Sequence, residues 1–87
     1  MRKMKNKVRI NVYIPSIDSE YEIIIPTNDT IKKVLDLIIK SVNELTDDIL
    51  TKDDKHYLID PETSKIYDNS LIIRETGIIN SKRIILI

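Results

Sequence analysis

The chain has 87 residues, with Lys+Arg and Asp+Glu equal at 14 each, and no cysteine. A single domain of this size buries only roughly 60–65% of the surface its unfolded form exposes, leaving little material for a deep catalytic pocket. The balanced charge supplies no long-range field to hold nucleic acid, and the absence of Cys excludes a disulfide staple, a thiolate metal ligand and a Cys nucleophile.

Residues 1–7 carry Arg2, Lys3, Lys5 and Lys7 with no acid among them, and read as a basic, disordered extension. Residues 8–87 read as the single domain. No apolar run approaches the ~20 residues of a membrane helix, and no signal-peptide core follows the basic start, so the expected location is the cytoplasm. Four cations without an apolar anchor would give only a weak, salt-sensitive contact with the anionic inner face of a membrane.

Val8, Ile10, Val12 and Ile14 alternate with Arg9, Asn11 and Tyr13, the period-two pattern of a half-buried strand. Pro15 to Glu20 supplies turn residues, and Tyr21, Ile23 and Ile25 give a second strand that Pro26 ends, which makes an antiparallel hairpin. Thr30 is the expected N-cap of a helix, because Ile31, Val34, Leu35, Ile38, Val42 and Leu45 then fall on one continuous apolar stripe. Leu37 and Ile39 lie off its centre, and the helix is expected to end between Asn43 and Thr46. Thr46 to Lys55 is an acidic loop anchored by Ile49 and Leu50. Short strands follow at His56–Ile59 and Lys65–Tyr67, separated by the turn Asp60-Pro61-Glu62-Thr63-Ser64. Gly77, the sole Gly, reads as a residue at positive φ closing a turn of helix. The last strand is Arg83-Ile84-Ile85-Leu86-Ile87. The expected core is Val8, Ile10, Val12, Ile14, Ile23, Ile25, Val34, Ile38, Val42, Ile84 and Leu86. Ile is abundant while Ala, Phe, Trp and Gln are absent, an AT-rich coding bias that weakens Ile as evidence for strand.

This order resembles the ubiquitin β-grasp, an α+β fold in which a mixed sheet of four to five strands packs on one helix. The resemblance is carried by Ile25-Pro26 before Asn28-Asp29-Thr30-Ile31, and by Ile73-Arg74-Glu75-Thr76-Gly77-Ile78 before Asn80-Ser81-Lys82-Arg83-Ile84. It implies that the last strand lies parallel beside the first. Within the fold, His56-Tyr57, Lys65-Ile66-Tyr67 and Thr76-Gly77-Ile78 resemble the YukD/EsaB family, small proteins that accompany bacterial type VII (WXG100) secretion systems. That resemblance implies a non-catalytic accessory component. Ubiquitin and the sulfur carriers of this fold act through a C-terminal Gly-Gly; the last ten residues hold no Gly, so conjugation by that route is not expected. Two other readings stay open: an accessory subunit of a multicomponent enzyme, and a ubiquitin-like domain belonging to a larger membrane protein.

The residues offer little chemistry to set against an interaction role. His56 is the sole His, so neither a His pair for a metal nor a Cys–His dyad exists. Asp47, Asp48, Asp53 and Asp54 lack the spacing and turn Gly of a calcium loop and read as a solvated acidic segment. One Gly cannot build a phosphate cradle, and Tyr13, Tyr21, Tyr57 and Tyr67 read as sheet residues rather than a base-stacking platform. No cofactor, metal or nucleic-acid partner is expected, and the oligomeric state is left open. The sharper signal is an apolar surplus. If Ile84 and Leu86 point inward, Ile85 and Ile87 point outward, and strand His56–Ile59 has no polar alternate either. The expected partner-binding residues are Leu58, Ile59, Ile85 and Ile87; the bland alternative is scattered apolar exposure of the ordinary kind.

Overall fold

The computed structural model describes residues 6–50 and 55–87. Strands β1 (Lys7–Ile14) and β2 (Ser19–Pro26) form an antiparallel hairpin whose register runs unbroken from Lys7 opposite Pro26 to Ile14 opposite Ser19. Pro15 sets φ for a single 3-10 turn, Pro15–Ile17, and Asp18 at φ 47° reverses the chain in the left-handed region that Asp tolerates better than most residues. Residues 1–5 of the expected basic extension lie outside the described residues. Lys7 already belongs to β1, and the Thr27 N–H donates to the Asn6 carbonyl at 2.8 Å, so the hairpin reaches into the segment expected to be a tail.

Helix α1 (Ile31–Thr46) starts where the stripe predicts. Thr30 is extended and its hydroxyl accepts from the Lys33 N–H at 3.3 Å. The two preceding N–H groups find main-chain partners instead: Ile31 donates to the Leu71 carbonyl at 2.8 Å and Lys32 to that of Asn69 at 3.1 Å. The N–H groups of Ile31, Lys32 and Lys33, the first three residues of the helix, are therefore satisfied from within the protein. At the other end Asp47 and Asp48, at φ 56° and 61°, turn the chain off the helix, and both N–H groups return to the Asn43 carbonyl. Asp53 and Asp54 lie outside the described residues.

β3 (Leu58–Asp60), β4 (Lys65–Ile66) and β5 (Lys82–Leu86) complete a five-stranded sheet of order β2-β1-β5-β3-β4. β5 runs parallel to β1 and antiparallel to β3. A 3-10 turn, Ile73–Glu75, precedes β5, and Gly77 sits just past its end at φ 77°, the position expected of it. This is the ubiquitin-like β-grasp topology.

The inward residues of β1, β2 and β5 close on the helix stripe, with Ile10, Val12, Ile25, Ile31, Ile38, Val42, Ile73 and Ile84 fully buried. Ile31, Leu35, Leu50, Leu58, Ile73 and Ile78 add to the expected core. Val8 and Ile23 only pack against its margin, because Val8 lies at the start of β1 and Ile23 on an edge strand with no neighbour beyond it. Leu45, expected on the buried stripe, is 71% exposed. The inward place in the last turn goes to Asn43, over which Leu50 folds back, while Ile49 stays exposed.

Candidate functional site

Period-two alternation fixes which side chains leave the core. Odd residues of β1, β3 and β5 and even residues of β2 share the sheet face opposite the helix. One row crosses all five strands in register: Glu20, Tyr13, Ile85, Ile59 and Ile66. It is polar at the β2 end and apolar at the β4 end. A shorter row continues the apolar half, where Tyr57 and Ile87 exchange main-chain hydrogen bonds of 2.9 and 3.0 Å.

Three of the four expected docking residues meet on this half. Ile59 and Ile85 are directly opposed and half-buried, and Ile87 is 49% exposed beside them. Leu58 does not join them. It is 1% exposed and opposes Leu86 on the core side, because neighbours along a strand point to opposite faces and Ile59 takes the outward one. Ile66, 56% exposed, and Tyr57, 37% exposed, belong to the patch and were not anticipated. A signal existed for Ile66: Tyr67 packs against the core, which forces its neighbour outward.

The polar half is an ordered network. Arg83 donates from Nε to Glu20 at 2.9 Å, and its guanidinium lies 5.0 Å from the Tyr13 ring centroid, a cation–π distance. Sequence order did not place any Tyr beside a cation; strand pairing does. The Tyr13 hydroxyl donates to Asp18 Oδ1 at 2.9 Å, and this bond to a carboxylate raises the phenol above its usual value. Arg9 pairs with Glu22 at 3.2 Å.

At the foot of β5, Lys82 Nζ lies 3.1 Å from Asp60 and 3.3 Å from Glu62. Asp60 also accepts the Glu62 N–H at 2.9 Å; that bond first, and Lys82 second, hold its carboxyl below the ordinary range. Lys82 is raised in turn, chiefly by Asp60, and burial raises the Tyr67 phenol alongside them. The cluster pins the β3–β4 turn to β5 and is structural.

A groove of about 920 Å³ runs between α1 and the segment entering β3, lined by Leu35, Ile39, Asn43, Lys55, His56 and Tyr57 among others. Among the described residues its lining includes no Ser or Thr for His56 to activate, and Lys32 at its rim is paired with Asp36 at 3.1 Å. His56 Nδ1 lies 3.3 Å from the Ile87 carbonyl. Among the described residues no group of three or more His, Asp or Glu side chains could hold a metal ion.

No protein-family profile matches this sequence, and no curated protein sequence matches it. Solved structures do. The ubiquitin-like domain of the type VII secretion protein EccD1 of Mycobacterium tuberculosis superposes with TM-score 0.72 at 11% identity, over 93% of this chain and 97% of that one. The EccD5 ubiquitin-like domain of Mycobacterium xenopi gives 0.77 at 14% identity, over 93% and 92%. A chain of the toluene 4-monooxygenase HD complex gives 0.76 at 9% identity, over 92% and 95%. At these identities the likeness is one of fold.

Proposed function

We propose that this ubiquitin-like protein is a non-catalytic interaction module of a type VII secretion system, docking a protein partner on the apolar half of its outer sheet face. The observation that carries the reading is the register pair Ile59–Ile85 with Ile66, Ile87 and Tyr57 around it, a contiguous apolar strip on a face that no described element covers. A sheet with one solvated face favours polar residues there. Burying each Ile in an interface contributes about 1.5–3 kcal/mol, enough for a few to anchor one. The fold shared with the EccD1 and EccD5 domains, and the resemblance to YukD/EsaB, point to secretion machinery as the setting. Among the described residues no helix is long and apolar enough to cross a membrane.

The test is capture of partners from native cells with the tagged protein, comparing wild type with Ile85→Lys/Ile87→Lys. Both side chains lie outside the core, so the double variant keeps the wild-type melting transition and loses its partner. Undiminished capture by the folded variant removes this surface from consideration. A second reading, an accessory subunit of a multicomponent oxygenase, is favoured by the fold match to a chain of the monooxygenase complex. The identity of the captured proteins separates the two: WXG100 proteins and an FtsK-like ATPase for the first, oxygenase subunits for the second.

A further inference from the structure

The sheet has two edges, and they are built differently. β4 is two residues long, too short to template another strand. β2 is eight residues long, pairs with β1 without a bulge, and carries no Lys or Arg and no Pro before its last residue. Those are the devices by which proteins usually close an exposed edge, and β2 lacks them. Glu20 and Glu22 do lie on this strand, but Arg83 and Arg9 compensate their charges from within the sheet.

The direction of the β2 main chain follows from one bond. Thr27 donates to Asn6, so that pair is hydrogen-bonded; alternation along the register makes Ile25, Ile23, Tyr21 and Ser19 the residues bonded to β1. Arg9 supports the same phase, since its carbonyl turns the other way to accept the Ser81 N–H of the β5 side. Glu20, Glu22, Ile24 and Pro26 therefore present their main-chain groups to the outer edge. Pro26, with no N–H to offer, stands at an outward position, the one kind a strand Pro can occupy.

We infer that β2 is the contact edge of a homodimer, pairing antiparallel with β2 of a second copy about a two-fold axis at Ile23. Outward residues must face outward residues, which leaves few registers. Centring on Glu22 sets Glu22 against itself, and centring on Tyr21 sets Glu20 against Glu22, both like-charge oppositions that destabilise a ladder. Centring on Ile23 sets Glu22 opposite Ile24 of the second copy and Glu20 opposite its Pro26. Glu22 and Ile24 then exchange both hydrogen bonds, twice by symmetry, and the Glu20 N–H reaches the Pro26 carbonyl. Tyr21 faces Ile25 and Ile23 faces itself on the core side, extending the apolar layer across the junction. Centring on Ile24 also avoids acid opposite acid, but it sets Glu22 against Pro26, which has no N–H to give, so that ladder carries fewer hydrogen bonds than the one centred on Ile23. The edge is far from the Ile59–Ile85 patch, with β1 between β2 and β5, so the dimer leaves two docking faces open and the inference stands independently of the proposed function.

Sedimentation velocity across a wide concentration range is the test. Wild type shifts from monomer to dimer as concentration rises. Ile24→Pro removes an outward N–H without touching the β1 ladder and stays monomeric with its melting transition retained. Should that variant fail to fold, Ile24→Glu, which sets acid against Glu22, gives the same loss of dimer, whereas Ile24→Lys keeps it. The chain has no cysteine, so Ile23→Cys reports the axis directly: on oxidation it forms a covalent dimer, and Glu22→Cys does so far more slowly. A wild type that remains monomeric at all concentrations overturns the inference, as does faster cross-linking at position 22.

Discussion

Asn43 and Leu50 are joined by both ends of one amide: Asn43 Nδ2 donates to the Leu50 carbonyl at 3.0 Å, and the Leu50 N–H donates to Asn43 Oδ1 at 2.9 Å. The Asn43 side chain thus copies a strand's pair of hydrogen bonds at the end of a helix. Its burial there is possible because both the nitrogen and the oxygen of the amide have a partner. The pair sets the path by which the chain leaves α1 and presses Leu50 onto the core.

Asn43→Ala should therefore destabilise the fold by about 1–3 kcal/mol, the cost of leaving buried main-chain groups unpartnered. Asn43→Asp retains the acceptor for the Leu50 N–H but sets a carboxylate against the Leu50 carbonyl, and should be no better. Urea denaturation of the two variants measures this. Stability equal to wild type in both would mean that the loop contributes nothing to the core.

Thr30→Ala should cost about what loss of a typical N-cap does. Loss of an N-cap hydroxyl is worth about 1 kcal/mol in general. Here only the Lys33 N–H depends on it, since Leu71 and Asn69 carbonyls serve the two N–H groups before it. The same thermal or chemical melts read the effect, and a loss well beyond the usual cap value would show that Thr30 also holds the Asn69–Leu71 segment in place.

The Lys82 cluster predicts a pH dependence with two limbs. Asp60 is depressed below its ordinary 3.8 by the Glu62 N–H and by Lys82, so its contribution is present above that value and is lost as pH falls through the lower folded-state value. Asp68, depressed by the N–H and hydroxyl of Ser70, adds to the same acid limb. Lys82 is raised above 10.5, so its contribution is present below that pH and fades as pH rises through the folded-state value. Melting temperature against pH should be flat between the limbs, and Asp60→Asn should shrink the acid limb and, by removing the main cause of the Lys82 shift, the alkaline one too. An unchanged acid limb in that variant would assign it elsewhere.

Local pattern determined much of this protein. Period-two alternation in Val8–Ile14, the stripe from Ile31 to Val42 behind Thr30, and Gly77 at positive φ each specify an element through constraints acting within a few residues, and each stands where expected. Even the outward direction of Ile85 and Ile87 follows from alternation once Ile84 and Leu86 are given to the core. What local pattern could not decide is phase and partnership across distance. Leu58 and Ile59 are both apolar, and only pairing with Leu86 and Ile85 chooses which one faces water. Leu45 fits the stripe but lies in a last turn where Asn43 and Leu50 have taken the inward place. Arg83 and Tyr13 are far apart in the chain and meet because β5 lies parallel to β1. The free edge of β2 exists only because the sheet ends there, a fact of strand order. Sequence spacing sets what each element is; the tertiary arrangement alone sets which surfaces are left over, because a surface is whatever packing has not used.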